Sequence, residues 1–343
     1  MVDREHGDEN AIGAPDRFED VAAPSPGGGG TIVPIANDGL HKPTGRAGLG
    51  FALTLTTVVF WATLPIGLKL ALAEIDPMTI TWYRFSCAAV VLGTILTFRG
   101  TLPRLRSLRA NTLRLLALAA VCLSANYGLY VLGLHHTNAG TSQVVIQIAP
   151  VLFTLGGIFF FRERFRLLQW LGLALLVLGM AAFSRDQIAH IVSGLDRYYV
   201  GLGFIVAAAV AWALYAMAQK QLLMEMTSPS VMLCIYVCAT LIFFPLADPV
   251  QLTRASAPAL GGLLFCVINM LAAYGTFAEA LVHWEASRVS ALLTVVPLAT
   301  LAMVALSARV MPDLLAPEPI TGVGIAGACL VVVGSLFTAL GGK

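Results

Sequence analysis

Charge is what this 343-residue sequence has least of, with Asp, Glu, Lys and Arg making up 12% against about 25% in a typical soluble domain. With 58% hydrophobic residues and a mean hydropathy of +0.82, there are too few polar side chains to cover a water-facing surface. A formal net charge of +2, without clustered Lys and Arg to neutralise phosphates, argues against a nucleic-acid partner. The six cysteines (Cys87, Cys122, Cys234, Cys238, Cys266 and Cys329) lie in apolar stretches and lack the spacing of a zinc site or a disulfide framework. They read as filler facing lipid or core, and neither metal nor cofactor is expected. His135, His136 and His283 fall near segment ends with no further ligands around them, and read as solvated loop-edge histidines.

Several motifs are also missing. No GxxxxGK[ST] loop is present, which argues against direct ATP drive. Paired carboxylates, Ser/His or Ser/Lys arrangements and HExxH are absent from the apolar segments, so an intramembrane enzyme is not expected. No basic region leads into an early apolar stretch, so neither a cleaved signal peptide nor a transit peptide is expected. Gly322-Val323-Gly324-Ile325-Ala326-Gly327 spells the dinucleotide fingerprint, but within an apolar segment it reads as close helix packing.

What is present divides in two. Residues 1–46 carry eight carboxylates, Pro24-Ser25-Pro26 and Gly27 to Gly30, and read as a disordered cytoplasmic tail. The remainder holds ten apolar segments near the length that crosses about 30 Å of hydrocarbon: 49–71, 79–98, 113–134, 139–161, 168–184, 199–220, 230–246, 258–282, 288–308 and 320–340. The fold class is therefore an all-α integral membrane protein of about ten transmembrane helices. Lys and Arg favour cytoplasmic loops. With the N-terminus inside, Lys42, Arg46, Arg99 to Arg114, Arg162 to Arg166, Lys220, Arg288 and Lys343 fall inside, against Arg185, Arg197, Arg254 and Arg309 outside. Both termini are then cytoplasmic, in what is expected to be a bacterial inner membrane.

The chain also repeats itself. Trp61, Lys69 and Cys87 recur as Trp212, Lys220 and Cys238. Tyr127-Gly128 and Pro150 recur as Tyr274-Gly275 and Pro297, and Gly172 and Gly179 as Gly327 and Gly334. The expected repeats are 47–186 and 198–341, with five segments each. An odd number makes the second copy enter the membrane from the opposite face, an inverted pair.

Polar groups in hydrocarbon are costly and mark solute or ion paths. Gln143, Gln147 and Pro150 share one face of the fourth segment, as Ser290, Thr294 and Pro297 do in the ninth. The prolines remove a backbone donor and are expected to kink their helices. Asn126 and Tyr130 share a face of the third segment, and Asn269, Thr276, Glu279 and His283 a sector of the eighth. Trp61 and Trp212 either line a cavity or sit at the membrane interface. Lys69, Arg84 and Glu279 are the charge-coupling candidates: Glu279 to exchange a proton or to pair with Arg84 or Lys69, with Lys69 and Lys220 alternatively snorkelling to headgroups.

Phe60-Trp61 through Lys69, Arg84-Phe85, Asn138-Ala139-Gly140 through Pro150, and Arg162-Glu163-Arg164-Phe165 leading into Gln169-Trp170-Leu171-Gly172 resemble the EamA-type transporters of the drug/metabolite transporter superfamily. The resemblance covers roughly residues 49–340 and departs from the family pattern at 307–319, which unsettles the register of the tenth helix. It implies a secondary transporter that moves a small organic solute, an amino acid or related metabolite, outward by alternating access. The partners are that solute and the lipid bilayer, with monomer or homodimer left open. A non-transporting sensor or assembly subunit is the alternative.

Overall fold

The computed structural model describes residues 41–136, 145–183, 196–308 and 321–340. Gln143, most of the expected tail and the loop 309–320 lie outside them. The described residues form helices α1 (Ala47–Ala71), α2 (Pro77–Phe98), α3 (Ala110–His136), α4 (Ile148–Phe159), α5 (Leu167–Phe183), α6 (Asp196–Leu222), α7 (Ser228–Phe243), α8 (Ala257–His283), α9 (Ala286–Leu293), α10 (Val296–Ala308) and α11 (Gly322–Leu340). Strands are absent among the described residues.

Local chemistry sets several starts. The Asp76 carboxylate accepts from the N–H groups of Met78 and Thr79, with Pro77 at the first helical position, and so caps α2. Ser256 caps α8 in the same way, with Pro258 in the first turn. Gly100, at φ 64°, closes α2 in the left-handed conformation that favours glycine.

Seven of these helices are long and apolar enough to cross a bilayer, and α4, α5 and the α9–α10 stretch are shorter apolar helices. The chain is a multi-pass membrane protein. The ninth expected segment is two helices, not one. Pro297 has no N–H to give the carbonyl of Leu293, and the helix parts at Thr294–Val295. In the fourth segment the helical run is interrupted at Gln147, again three residues before a proline, Pro150. Pro65 sits inside α1, which continues through it.

Helices pair across the two halves: α1 with α8, α3 with α6, α2 with α7, α4 with α9, and α5 with α11. Exchanging the halves maps this set onto itself, the mark of a two-fold relation. The paired helices also run antiparallel. Gly172 and Gly179 of α5 lie against Gly334/Thr338 and Gly327/Val331 of α11, so numbering rises in one as it falls in the other. Pro150 and Gly157 likewise meet Ser290 and Ser287. Because α4 and α5 oppose their own counterparts, the repeats are inverted.

The α5–α11 seam is the closest. A Cβ on Gly334 would stand 2.5 Å from the Leu176 nitrogen, and one on Gly327 2.4 Å from the Phe183 nitrogen. Only glycine lets two backbones approach so far; in the Gly322–Gly327 run this contact is made at Gly327, whereas a Cβ on Gly322 would meet nothing within 4 Å. Gln169 Nε2 fixes the register by donating to the Thr338 carbonyl at 3.0 Å.

Candidate solute path

Aromatic side chains from both halves meet where the pseudo-two-fold axis runs. Trp61 of α1 and Trp212 of α6, repeat mates, pack edge-to-face with centroids 6.0 Å apart. Tyr274 and Phe277 of α8 lie 5.6 Å and 5.8 Å from Trp61, and Phe153 of α4 lies 5.9 Å from Trp212. The Tyr127 and Tyr274 hydroxyls, also repeat mates, are 3.3 Å apart. Residues that meet their own mates can do so only at the axis. Both tryptophans thus belong to the bundle interior and not to an interfacial belt. Each edge-to-face contact adds about 0.5–1.5 kcal/mol beyond burial.

Beside this cluster lie the interrupted helices. Gln147, Pro150, Ser290 and Thr294 are all buried, while Pro297 is half-buried. The Ser290 hydroxyl donates to the Pro150 carbonyl, so the two matched polar stripes close on each other. Thr294 donates to the carbonyl of Ala291 at 2.6 Å, filling an acceptor at the break.

Other expected path residues hold helices together. Asn126 Nδ2 donates to the Ala208 carbonyl at 2.9 Å, tying α3 to α6. Asn269 Nδ2 donates to the Phe60 carbonyl at 2.5 Å, tying α8 to α1, and the Thr276 and Thr57 hydroxyls are 2.8 Å apart on the same seam. Tyr130 is half-buried on α3.

The three charge candidates do not come together. Arg84 is 3% exposed, its guanidinium 5.8 Å from the Tyr127 ring. Lys69 is exposed at the far end of α1. Glu279 pairs with neither. Its carboxylate accepts from the Ser228 hydroxyl at 2.9 Å and lies 3.4 Å from His283 Nε2. It stands at one edge of a cleft of about 330 Å³ between α1, α2, α7 and α8, lined by apolar residues such as Leu53, Leu92, Met232 and Leu271. His283 is buried, not solvated, and its Nδ1 is 2.8 Å from the Thr44 hydroxyl.

Sequence reasoning missed a polar lock at the end of the bundle where α1 begins. Lys220, expected to snorkel, is fully buried, with its Nζ 2.5 Å from Glu163 Oε1. Glu163 also accepts from the N–H groups of Ala286 at 2.7 Å and Ser287 at 3.0 Å and from the Ser287 hydroxyl at 2.5 Å, so it caps α9. Gly157 makes room, since a Cβ there would stand 2.6 Å from Glu163 Oε2. Burial alone pushes the Glu163 carboxyl upward. Lys220 and the Ser287 donors outweigh it and hold the group below the usual carboxylate range. Nearby His41 is lowered to about 4, by burial first and then by the Lys220 charge. The sequence singled out the lock's two members separately, Lys220 as the repeat mate of Lys69 and Glu163 within Arg162-Glu163-Arg164-Phe165, without joining them. The mates now occupy opposite environments, one exposed and one sealed, so the halves depart here from exact symmetry.

The EamA-like transporter family model matches this sequence twice, over residues 48–185 and 199–340. The chain belongs to the EamA-like transporter family. Similar proteins include an uncharacterized inner membrane transporter, YhbE, of Escherichia coli K12, 37% identical over 86% of this chain and 92% of that protein. A probable amino-acid metabolite efflux pump of the same organism is 24% identical over 84% of this chain and 94% of its own length. A probable terminal-alkyne amino-acid exporter of Streptantibioticus cattleyicolor is 30% identical over 61% of this chain and 67% of its own length. One crystal structure matches with a TM-score of 0.68 at 17% identity, covering 87% of this chain and 99% of that one, which shows a shared fold.

Proposed function

We propose that this EamA-family protein is a secondary transporter that carries a small organic solute, an amino acid or related metabolite, outward across the bacterial inner membrane by alternating access. The reading rests chiefly on one observation: Trp61 meets Trp212, and Tyr127 meets Tyr274, between inverted halves whose fourth and ninth segments are interrupted. Inverted repeats with broken helices at their interface suit exchange between two outward- and inward-open states around a central site. The names of the two amino-acid exporters above support the solute class.

Under the charge bias of the loops, both termini are cytoplasmic, and the Lys220–Glu163 lock closes the cytoplasmic end. We assign the proton-coupling role to Glu279, whose carboxylate is hydrogen-bonded by Ser228 beside the α1–α2–α7–α8 cleft. The test is uptake and efflux of a labelled amino-acid and metabolite panel in proteoliposomes, with and without a pH gradient, for wild type, Gln147→Ala and Glu279→Gln. Selective flux that is lost in Gln147→Ala supports the transporter reading. Absence of flux for every solute favours a non-transporting sensor. A Glu279→Gln variant whose flux keeps the wild-type pH dependence removes the proton role.

A further inference from the structure

Arg84 is an unusual place to put a charge. It lies seven residues into α2, about 10 Å from the helix start and well inside a hydrocarbon layer about 30 Å thick. It is 3% exposed, and its Nε has no hydrogen-bond partner. Among the described residues no carboxylate lies within ion-pairing distance of its guanidinium: the close pairs are Arg109–Glu225, Lys220–Glu163, His283–Glu279 and Arg288–Glu285.

The contact that Arg84 does have is too weak to explain it. A cation over one aromatic ring contributes about 0.5–2 kcal/mol. Withdrawing an ion from water costs several kcal/mol even after relaxation, and an unpaired buried charge is among the most destabilising features a fold carries. Lys220, buried to the same degree, has a carboxylate at 2.5 Å, so this protein does supply counter-charges where a cation is structural. Arg84 stands without one beside Tyr127, whose hydroxyl reaches that of Tyr274 on the axis.

We infer that Arg84 is the anchor for the carboxylate of the transported solute, which supplies its missing counter-ion. The inference rests on the transporter reading above and narrows it to solutes that carry a carboxylate. An unpaired guanidinium presents a planar fork that matches a carboxylate bidentately, which a tyrosine ring does not satisfy.

The test uses the full chain in detergent, following tryptophan fluorescence, because Trp61 and Trp212 lie in the adjoining ring cluster. Each L-amino acid of a panel is titrated beside its own carboxamide, and the same pairs are then run as flux substrates in proteoliposomes. The expected result is that carboxylates bind roughly 10- to 100-fold more tightly than their amides, that Arg84→Gln removes this difference, and that Arg84→Lys keeps part of it. The comparison within wild type needs no variant and survives a misfolded Arg84→Gln. Equal binding of acid and amide by wild type, or a folded Arg84→Gln with unchanged preference, overturns the role of Arg84 while leaving a transporter. If no member of the panel binds or crosses, the transporter reading falls and this inference falls with it.

Discussion

The hydroxyls of Tyr127 and Tyr274, 147 residues apart in the chain, lie 3.3 Å from each other across the axis that relates the two halves. One hydrogen bond is shared by two residues that occupy the same place in each repeat. Removing either hydroxyl removes the whole interaction. Tyr127→Phe and Tyr274→Phe are each expected to cost about 0.5–1.5 kcal/mol, and the double variant little more than the worse single one. Thermal unfolding of the four proteins in detergent checks this, and additive losses would contradict the shared bond.

Glycines on the α5–α11 seam are expected to resist enlargement. Gly334→Ala meets backbone at 2.5 Å and is expected to destabilise by about 1–3 kcal/mol or more. Gly261→Ala, where an added Cβ has nothing within 4 Å, serves as the control and is expected to be neutral or slightly stabilising. A melting comparison of the two variants decides the matter.

The Lys220–Glu163 pair is expected to behave as a unit. Lys220→Met leaves a buried carboxylate and Glu163→Gln a buried ammonium, each costing about 3–5 kcal/mol. The double variant Glu163→Gln/Lys220→Met is expected to recover a large part of either loss. A double-mutant cycle on stability reads the coupling, and near-additive effects would show that the contact is incidental.

Acid is expected to weaken the protein in two windows. His41 has a folded pKa of about 4 against an ordinary 6.5, so its unfolded form binds the proton first and stability falls as pH drops from about 6.5 toward 4. Glu163 is lowered from 4.5, so the stability it contributes is present above 4.5 and lost as pH falls below it. His41→Gln is expected to flatten the first window only. Melting temperature against pH, for wild type and His41→Gln, separates the two.

The membrane-spanning helices were legible because length and apolar run are local properties. Residues 49–71 were expected as a helix and α1 spans Ala47–Ala71, while 320–340 was expected and α11 spans Gly322–Leu340. The inverted relation was legible from Trp61/Trp212 and Tyr127/Tyr274. That these mates would touch was not, because a recurrence in sequence carries no position relative to an axis. The break at Thr294–Val295 was foreshadowed only as a kink at Pro297. Glu163 and Lys220 are 57 residues apart, Glu163 is flanked by Arg162 and Arg164, and nothing local couples a loop carboxylate to the last turn of α6. Polarity on a helix face singled out Asn126 and Asn269 but gave no sign that the Nδ2 of each donates to the backbone of a neighbouring helix, because that partner is set by packing between helices.

The contact between Tyr127 and Tyr274 is the one a symmetric pair of half-length chains would make. Two identical chains of half this length, inserted in opposite senses, would place that single tyrosine against itself and the single tryptophan against itself, with the same glycine seam between their last helices. The present protein therefore has the internal layout of an antiparallel homodimer whose subunits were joined end to end. A single chain, unlike such a homodimer, can differ between its two halves, and it does so at Lys220 and Lys69, one sealed and one exposed.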